Sequence, residues 1–190
     1  MKSRIALFLL GLSFICDASA ANPVVEIKTN MGNITLELYP DKAPKTVENF
    51  LRYASSGYYE GTVFHRVIDN FMIQGGGFDA SLNKKPTSAS IENEAGNGLK
   101  NDAYTIVMAR TPNPHSASSQ FFINVKDNDF LNFTAPTGEG FGYCVFGKVV
   151  KGVEVVTKIA KVRVGPSGPF PTHVPQTPVV IESVKVLAPK

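Results

Sequence analysis

The sequence is short of the residues that most enzyme chemistries need. Of 190 residues, two are cysteine, three are histidine and none is tryptophan. Cys16 falls inside an N-terminal apolar run, so a chain trimmed after that run keeps Cys144 alone and cannot form an internal disulfide. Stability then rests on the core, whatever the redox compartment. Cys144 stands between Tyr143 and Val145, the setting of a small buried hydrophobe rather than a catalytic thiol. His65, His115 and His173 are far apart, with no cysteine or carboxylate at ligand spacing, which argues against a metal centre. Charge is modest too: 19 Lys and Arg against 16 Asp and Glu leave +3. No basic cluster interleaved with aromatics accompanies it, so nucleic acid is not an expected partner. There is no internal repeat and no domain-splitting linker.

Long apolar runs are also missing, with one informative exception. Met1-Lys2-Ser3-Arg4 is a short basic start, Ile5 to Ile15 is almost wholly apolar, and Ala18-Ser19-Ala20 has the small-x-small form of a cleavage site. The apolar run is shorter than the ~20 residues needed to span a bilayer. Residues 1–20 therefore read as a secretory signal peptide, and no membrane anchor is expected after cleavage. Ile15 before Cys16 is bulky where lipid modification wants a small residue. The mature chain, residues 21–190, is long enough for one globular domain with a real core.

What is there is mostly strand. Val25 to Lys28 and Ile34 to Leu38 alternate around the turn residues Thr29 to Asn33, which predicts a β-hairpin. Asp41-Lys42-Ala43-Pro44 opens a helix carrying Val47, Phe50, Leu51 and Ala54 on one stripe. Further strands are expected at Thr62–Ile68, Phe71–Ile73, Tyr104–Ala109, Gln120–Val125, Tyr143–Val149 and Val179–Val186, with a second helix at Gly152–Ala160. The polar segment from Asp79 to Asn101 reads as a long surface loop. Gly165 to Pro178 reads as proline-rich and irregular. Many short strands with two helices predict a mainly β fold: a closed eight-stranded antiparallel barrel capped by the helices.

Within this pattern, Phe64-His65-Arg66-Val67-Ile68 and Phe71-Met72-Ile73-Gln74 set an arginine and a glutamine among residues that favour burial. Dehydrating a guanidinium without a partner is costly, so Arg66 needs an internal partner or a ligand. Strand parity puts Phe64, Arg66 and Ile68 on one face, Met72 with Gln74, and Gln120 with Phe122. Repeated pairing of polar with apolar groups suits a surface groove with an apolar floor, although parity alone equally admits ordinary surface polarity. Other chemistries lack their context. Gly75-Gly76-Gly77 has no following Gly-Lys-Ser/Thr, Ser116, Ser118 and Ser119 near His115 have no nucleophile elbow, and Glu92 and Glu94 read as solvated charges. His65, on the face opposite Arg66, reads as a hydrogen-bonded structural histidine.

These same segments, with Met108-Ala109, Ser119-Gln120-Phe121-Phe122-Ile123 and Val145-Phe146-Gly147-Lys148-Val149, resemble the cyclophilin signature from Val25 to Val186. Together with Ala109-Arg110-Thr111, Phe141-Gly142-Tyr143 and the leader, they are most similar to the periplasmic cyclophilins of Gram-negative bacteria. The resemblance implies a peptidyl-prolyl cis-trans isomerase that needs no cofactor and acts on proline-containing peptides and on exported proteins as they fold. A monomer in the periplasm is the matching expectation. By position, Arg66 takes the catalytic place, while Phe71, Met72, Phe122 and Leu131 match the wall of the proline pocket. Gln74 and Gln120 match its polar rim, and Ala109 and Arg110 the segment that holds the peptide backbone. Tyr143 stands where many members have a pocket histidine, after a longer loop from Asn132 to Gly142. Phe130 stands where eukaryotic members carry a tryptophan that donates to cyclosporin, so weak cyclosporin binding is expected. The competing class is a non-catalytic proline-peptide receptor or holdase using the same groove, from which loss of Arg66 would be expected.

Overall fold

A computed structural model describes residues 21–187. The predicted leader, residues 1–20, lies outside the described residues. The chain enters through the antiparallel pair β1 (Val24–Thr29) and β2 (Gly32–Leu38). Thr29 Oγ1 closes their turn by donating to the Gly32 carbonyl at 2.7 Å. Helix α1 (Pro44–Ser55) follows, with proline in its first turn, where its missing N–H costs nothing. Then come β3 (Arg66–Ile68), β4 (Met72–Gly75), β5 (Thr105–Met108), β6 (Phe121–Asn124) and β7 (Val145–Lys151). Helix α2 (Val153–Ala160), β8 (Val164–Ser167), β9 (Phe170–Pro175) and β10 (Ile181–Leu187) complete the fold.

One antiparallel sheet of eight strands runs in the order β10-β1-β2-β7-β5-β6-β4-β3. It is curled, and alternation along each strand sorts side chains to its two faces. Ile73, Ile106, Phe121, Ile123 and Phe146 point inward, where they join Phe50 and Val47 of α1 and Val156 and Ile159 of α2. Phe50 meets Tyr59, Phe121 and Phe146 at centroid distances of 5.3–5.6 Å, so the interior is filled by rings rather than hollow. Met72, Val107, Phe122 and Val145 point outward and form a second cluster with Leu131.

Four expectations change. The sheet does not close: β10 and β3 are its edges, and an isolated bridge between Val63 and Val180 is what joins the seam. Around that bridge the Phe64 N–H donates to the Val179 carbonyl at 2.9 Å and the Ile181 N–H to the Thr62 carbonyl at 2.8 Å, but these residues stop short of β3, so no ladder joins β3 to β10. The segment read as irregular, Gly165 to Pro178, instead holds the two-stranded ribbon β8–β9. Phe64 does not share a face with Arg66, because β3 starts only at Arg66 and Phe64 turns into the interior. Glu94, read as a solvated charge, caps α1 from a distance. Its carboxylate accepts the Lys45 and Thr46 N–H groups at 3.1 and 2.8 Å and the Thr46 hydroxyl at 2.7 Å. Helix N-termini leave such donors unpaired, and Ala43 at the cap position has no side chain to serve them.

Candidate active site

One cross-strand row on the outer face runs through the site. Arg66 pairs with Gln74, Gln74 with Phe122, Phe122 with Val107 and Val107 with Val145. Directly opposed residues on antiparallel strands place their side chains side by side on one face. Arg66 Nη1 accordingly donates to Gln74 Oε1 at 3.3 Å and lies 3.9 Å from Met72 Sδ. Gln74 Nε2 passes the chain on to Gln120 Oε1 at 3.0 Å. Gln120 has room because residue 77 is glycine: a Cβ there would stand 2.4 Å from Gln120 Cγ. Gly76 beside it holds φ at +80°, so the triple glycine serves backbone turning and close packing.

Arg66 is half-buried, and burial lowers its pKa without discharging it. Two ion pairs occur among the described residues, Lys28–Glu182 and Lys45–Glu92, and neither involves Arg66. Its partners are therefore neutral, and no ion pair among the described residues offsets its charge.

That groove has a volume of about 290 Å³. Met72, Phe122, Leu131 and Ala109 give its apolar lining, with Arg66 and Gln74 along one side. Phe71 and Phe130 stack at 5.7 Å and 26°, although Phe130 itself is 72% exposed. Tyr143 meets Phe122 edge-on at 5.8 Å. The Arg110 guanidinium sits 4.5 Å above the Tyr143 ring and donates from Nε to the Gly142 carbonyl at 2.7 Å. All the site residues predicted from sequence line this groove except Gln120, which reaches it through Gln74.

The sequence reading missed what holds the groove in shape. Asn101, Asn124 and Asn128 are fully buried beneath the Phe130–Leu131 turn. Asn128 Nδ2 donates to Asn124 Oδ1 at 2.8 Å and to the Phe71 carbonyl at 3.0 Å. Asn124 Nδ2 donates to Asn101 Oδ1 and Thr105 Oγ1, and Asn101 Nδ2 to the Leu131 carbonyl at 3.1 Å. Buried amides of this kind lock their neighbours, because any broken link leaves a dry polar group. The recurrence of asparagine at 124, 128 and 132 beside the apolar pair Phe130-Leu131 was the available signal.

Other candidates resolve into structure. His65 packs against Phe78 and Phe170 at 4.6 and 5.4 Å. Its Nδ1 is buried without a partner, so ring packing rather than hydrogen bonding at that nitrogen holds it. Burial lowers its pKa to about 4. Cys144 is buried beside Thr46 Oγ1 at 3.6 Å, and burial pushes its thiol up to about 12, far from a nucleophile's range. Ser116 is spent on its own loop, accepting from the Thr111 N–H and donating to the Asn113 carbonyl.

With this geometry in view, residues 24–186 match the family model described as cyclophilin type peptidyl-prolyl cis-trans isomerase/CLD. The chain belongs to that family. Among its relatives, the peptidyl-prolyl cis-trans isomerase cyp18 of Streptomyces antibioticus is 59% identical over 163 residues, covering 86% of this chain and 98% of its own. A peptidyl-prolyl cis-trans isomerase of Acinetobacter baylyi is 53% identical and covers 98% of this chain and 96% of its own. Among solved structures, a cyclophilin-type isomerase of Cryptosporidium parvum, crystallised in the presence of the dipeptide Ala-Pro, superposes with a TM-score of 0.70. It is 29% identical and covers 87% of this chain and 99% of its own. This cyclophilin therefore has the isomerase fold and a groove lined by two half-buried cations, Arg66 and Arg110, whose partners are neutral.

Proposed function

We propose that Arg66 is the catalytic group of this peptidyl-prolyl cis-trans isomerase and that the apolar groove beside it receives the substrate proline. The observation that carries this reading is the half-buried Arg66 guanidinium, hydrogen-bonded to a neutral amide at the edge of an apolar groove. An amide resists rotation because its nitrogen shares a lone pair with the carbonyl, a barrier of ~18–20 kcal/mol. No covalent bond breaks, so no nucleophile has to be activated. In the twisted state the proline nitrogen becomes pyramidal and its lone pair can accept a hydrogen bond. Arg66 donates to that nitrogen as resonance is lost, which favours the transition state over either planar form. Met72, Phe122 and Leu131 hold the ring still while the other side of the bond turns. A thousandfold acceleration needs about 4 kcal/mol, within reach of one charge-assisted donor plus positioning.

The clients belonging to this reading are exported proteins folding in the periplasm, supported by the basic start, apolar run and Ala18-Ser19-Ala20 of the leader. Phe130 has no ring N–H to donate, which supports weak cyclosporin binding. The test is isomerisation of an Xaa-Pro peptide by wild type and Arg66→Ala. The variant is expected to keep its fold and lose most activity, on the order of a hundredfold or more. Near-wild-type turnover by the folded variant would overturn the role of Arg66. A wild type that binds proline peptides without turning them over would leave the receptor or holdase reading.

A further inference from the structure

We propose that Arg110 makes the groove selective for acidic clients, peptides with Asp or Glu within two residues of the isomerised Xaa-Pro bond. This inference rests on the proline-groove reading above. The groove is lined by ten residues, of which Arg66 and Arg110 are cationic and none is acidic. A cleft with one sign of charge and apolar walls concentrates ligands of the opposite sign. Of the neighbouring carboxylates, Glu92, which shares an adjoining crevice with Arg110, pairs with Lys45, and Asp129 beside Phe130 is exposed outside the groove lining, where it accepts from Asn132 Nδ2 at 3.2 Å.

Arg110 is also held rather than free to swing. Nε donates to the Gly142 carbonyl, Nη1 donates to the Thr111 carbonyl at 2.9 Å, and the cation lies over the Tyr143 ring. All of these partners are neutral, so the charge is uncompensated. Among the described residues Nη2 makes no hydrogen bond within the chain. A guanidinium fixed in orientation with one NH2 group unspent is a directed carboxylate donor. Two residues of extended peptide span about 7 Å, inside the ~8–10 Å Debye length at ordinary salt. A side-chain carboxylate that close to the bound proline falls within the field of Arg110.

The experiment uses matched proline tetrapeptides that differ only in Glu, Gln or Lys at each position within two residues of proline. Isomerisation is followed by NMR exchange, which needs no coupling protease. At one position at least, kcat/KM for Glu should exceed that for Lys about fivefold in ~20 mM salt and less than twofold in ~500 mM. Arg110→Gln should remove most of the preference, leaving what Arg66 contributes, and Arg110→Lys should retain more of it than Arg110→Gln. Equal rates for Glu and Lys at every position overturn the selectivity while the isomerase reading stands. So does a ratio unchanged in folded Arg110→Gln. If Arg110→Gln fails to fold, the wild-type ratio and its salt response decide alone. Absence of turnover on every peptide sinks the proline-groove reading and this inference together.

Discussion

The two faces of the curled sheet bury apolar side chains from the same strands, yet they do opposite things. The inner face is closed on itself: Phe50, Tyr59, Phe121 and Phe146 meet ring to ring, and helix α1 and helix α2 pack over them. The outer face holds a smaller cluster, Met72, Val107, Phe122, Leu131 and Val145, and leaves one side of it open as the groove. Its polar groups are aimed into the opening rather than away from it. The filled core therefore lies on the inside and the groove proposed for substrate on the outside, one residue apart along each strand. His65 and Arg66 make the contrast at the scale of two consecutive residues. His65 is a neutral ring packed against Phe78 and Phe170, while Arg66 is a permanent charge beside an apolar groove.

Breaking the inside should cost stability and spare chemistry. Phe50→Ala removes the ring that touches three others, and should destabilise by about 3–5 kcal/mol. Measured well below the melting temperature, its kcat/KM should stay within about twofold of wild type, because the outer row is untouched. A large loss of activity without loss of stability would dissolve the separation of the two faces.

The neighbouring pair separates by pH. Burial holds the His65 pKa near about 4, below the ordinary value of 6.5. As pH falls, the unfolded chain takes up this proton first, so folding weakens in that direction. The contribution is complete above about pH 6.5 and declines toward pH 4, by up to about 3 kcal/mol. Denaturant titrations between these limits should show the slope in wild type and a flatter profile in His65→Phe. Arg66 does not titrate in this range, so activity of the folded enzyme should vary little between about pH 6 and 8. A steep activity change there would place a titrating group in the mechanism.

The smallest effect should come from the boundary between the faces. Asn128→Ala leaves Asn124 Oδ1 without its donor and takes one of two donors from the Phe71 carbonyl, which keeps the Val125 N–H. The expected cost is about 1–3 kcal/mol, with kcat reduced about tenfold as Leu131 and Phe130 lose their support. Unfolding curves and peptide kinetics on the same preparation measure both. Stability loss with unchanged kcat would show that the network supports the fold alone.

Much of this division can be read from sequence because period-two alternation assigns faces before any contact is known. It put Met72 with Gln74 and Gln120 with Phe122, and the leading hairpin and both helices lie where the pattern places them. It failed where the backbone leaves the pattern. Phe64 precedes the strand proper, so its parity carries no information. Ribbon β8–β9 was hidden by Pro166, Pro171 and Pro175, residues that mark loops but are tolerated on an exposed edge. Glu94 caps a helix 48 residues earlier in the chain, and the buried asparagines look like any loop amides until the loop is seen to fold over them. The seam is held only by a bridge at Val63 and Val180, outside β3, a long-range pairing that local propensity does not express.

The role proposed for Arg66 is to serve the twisted amide rather than the resting peptide. Its most direct test is to measure kcat for an Xaa-Pro peptide and the Kd of that peptide on wild type, Arg66→Ala and Arg66→Lys. Arg66→Ala should lose about a hundredfold or more in kcat with Kd changed less than about threefold, and Arg66→Lys should recover only part of the loss, because the charge returns without the planar donor fork. A loss confined to Kd, with kcat preserved at saturating peptide, would contradict it.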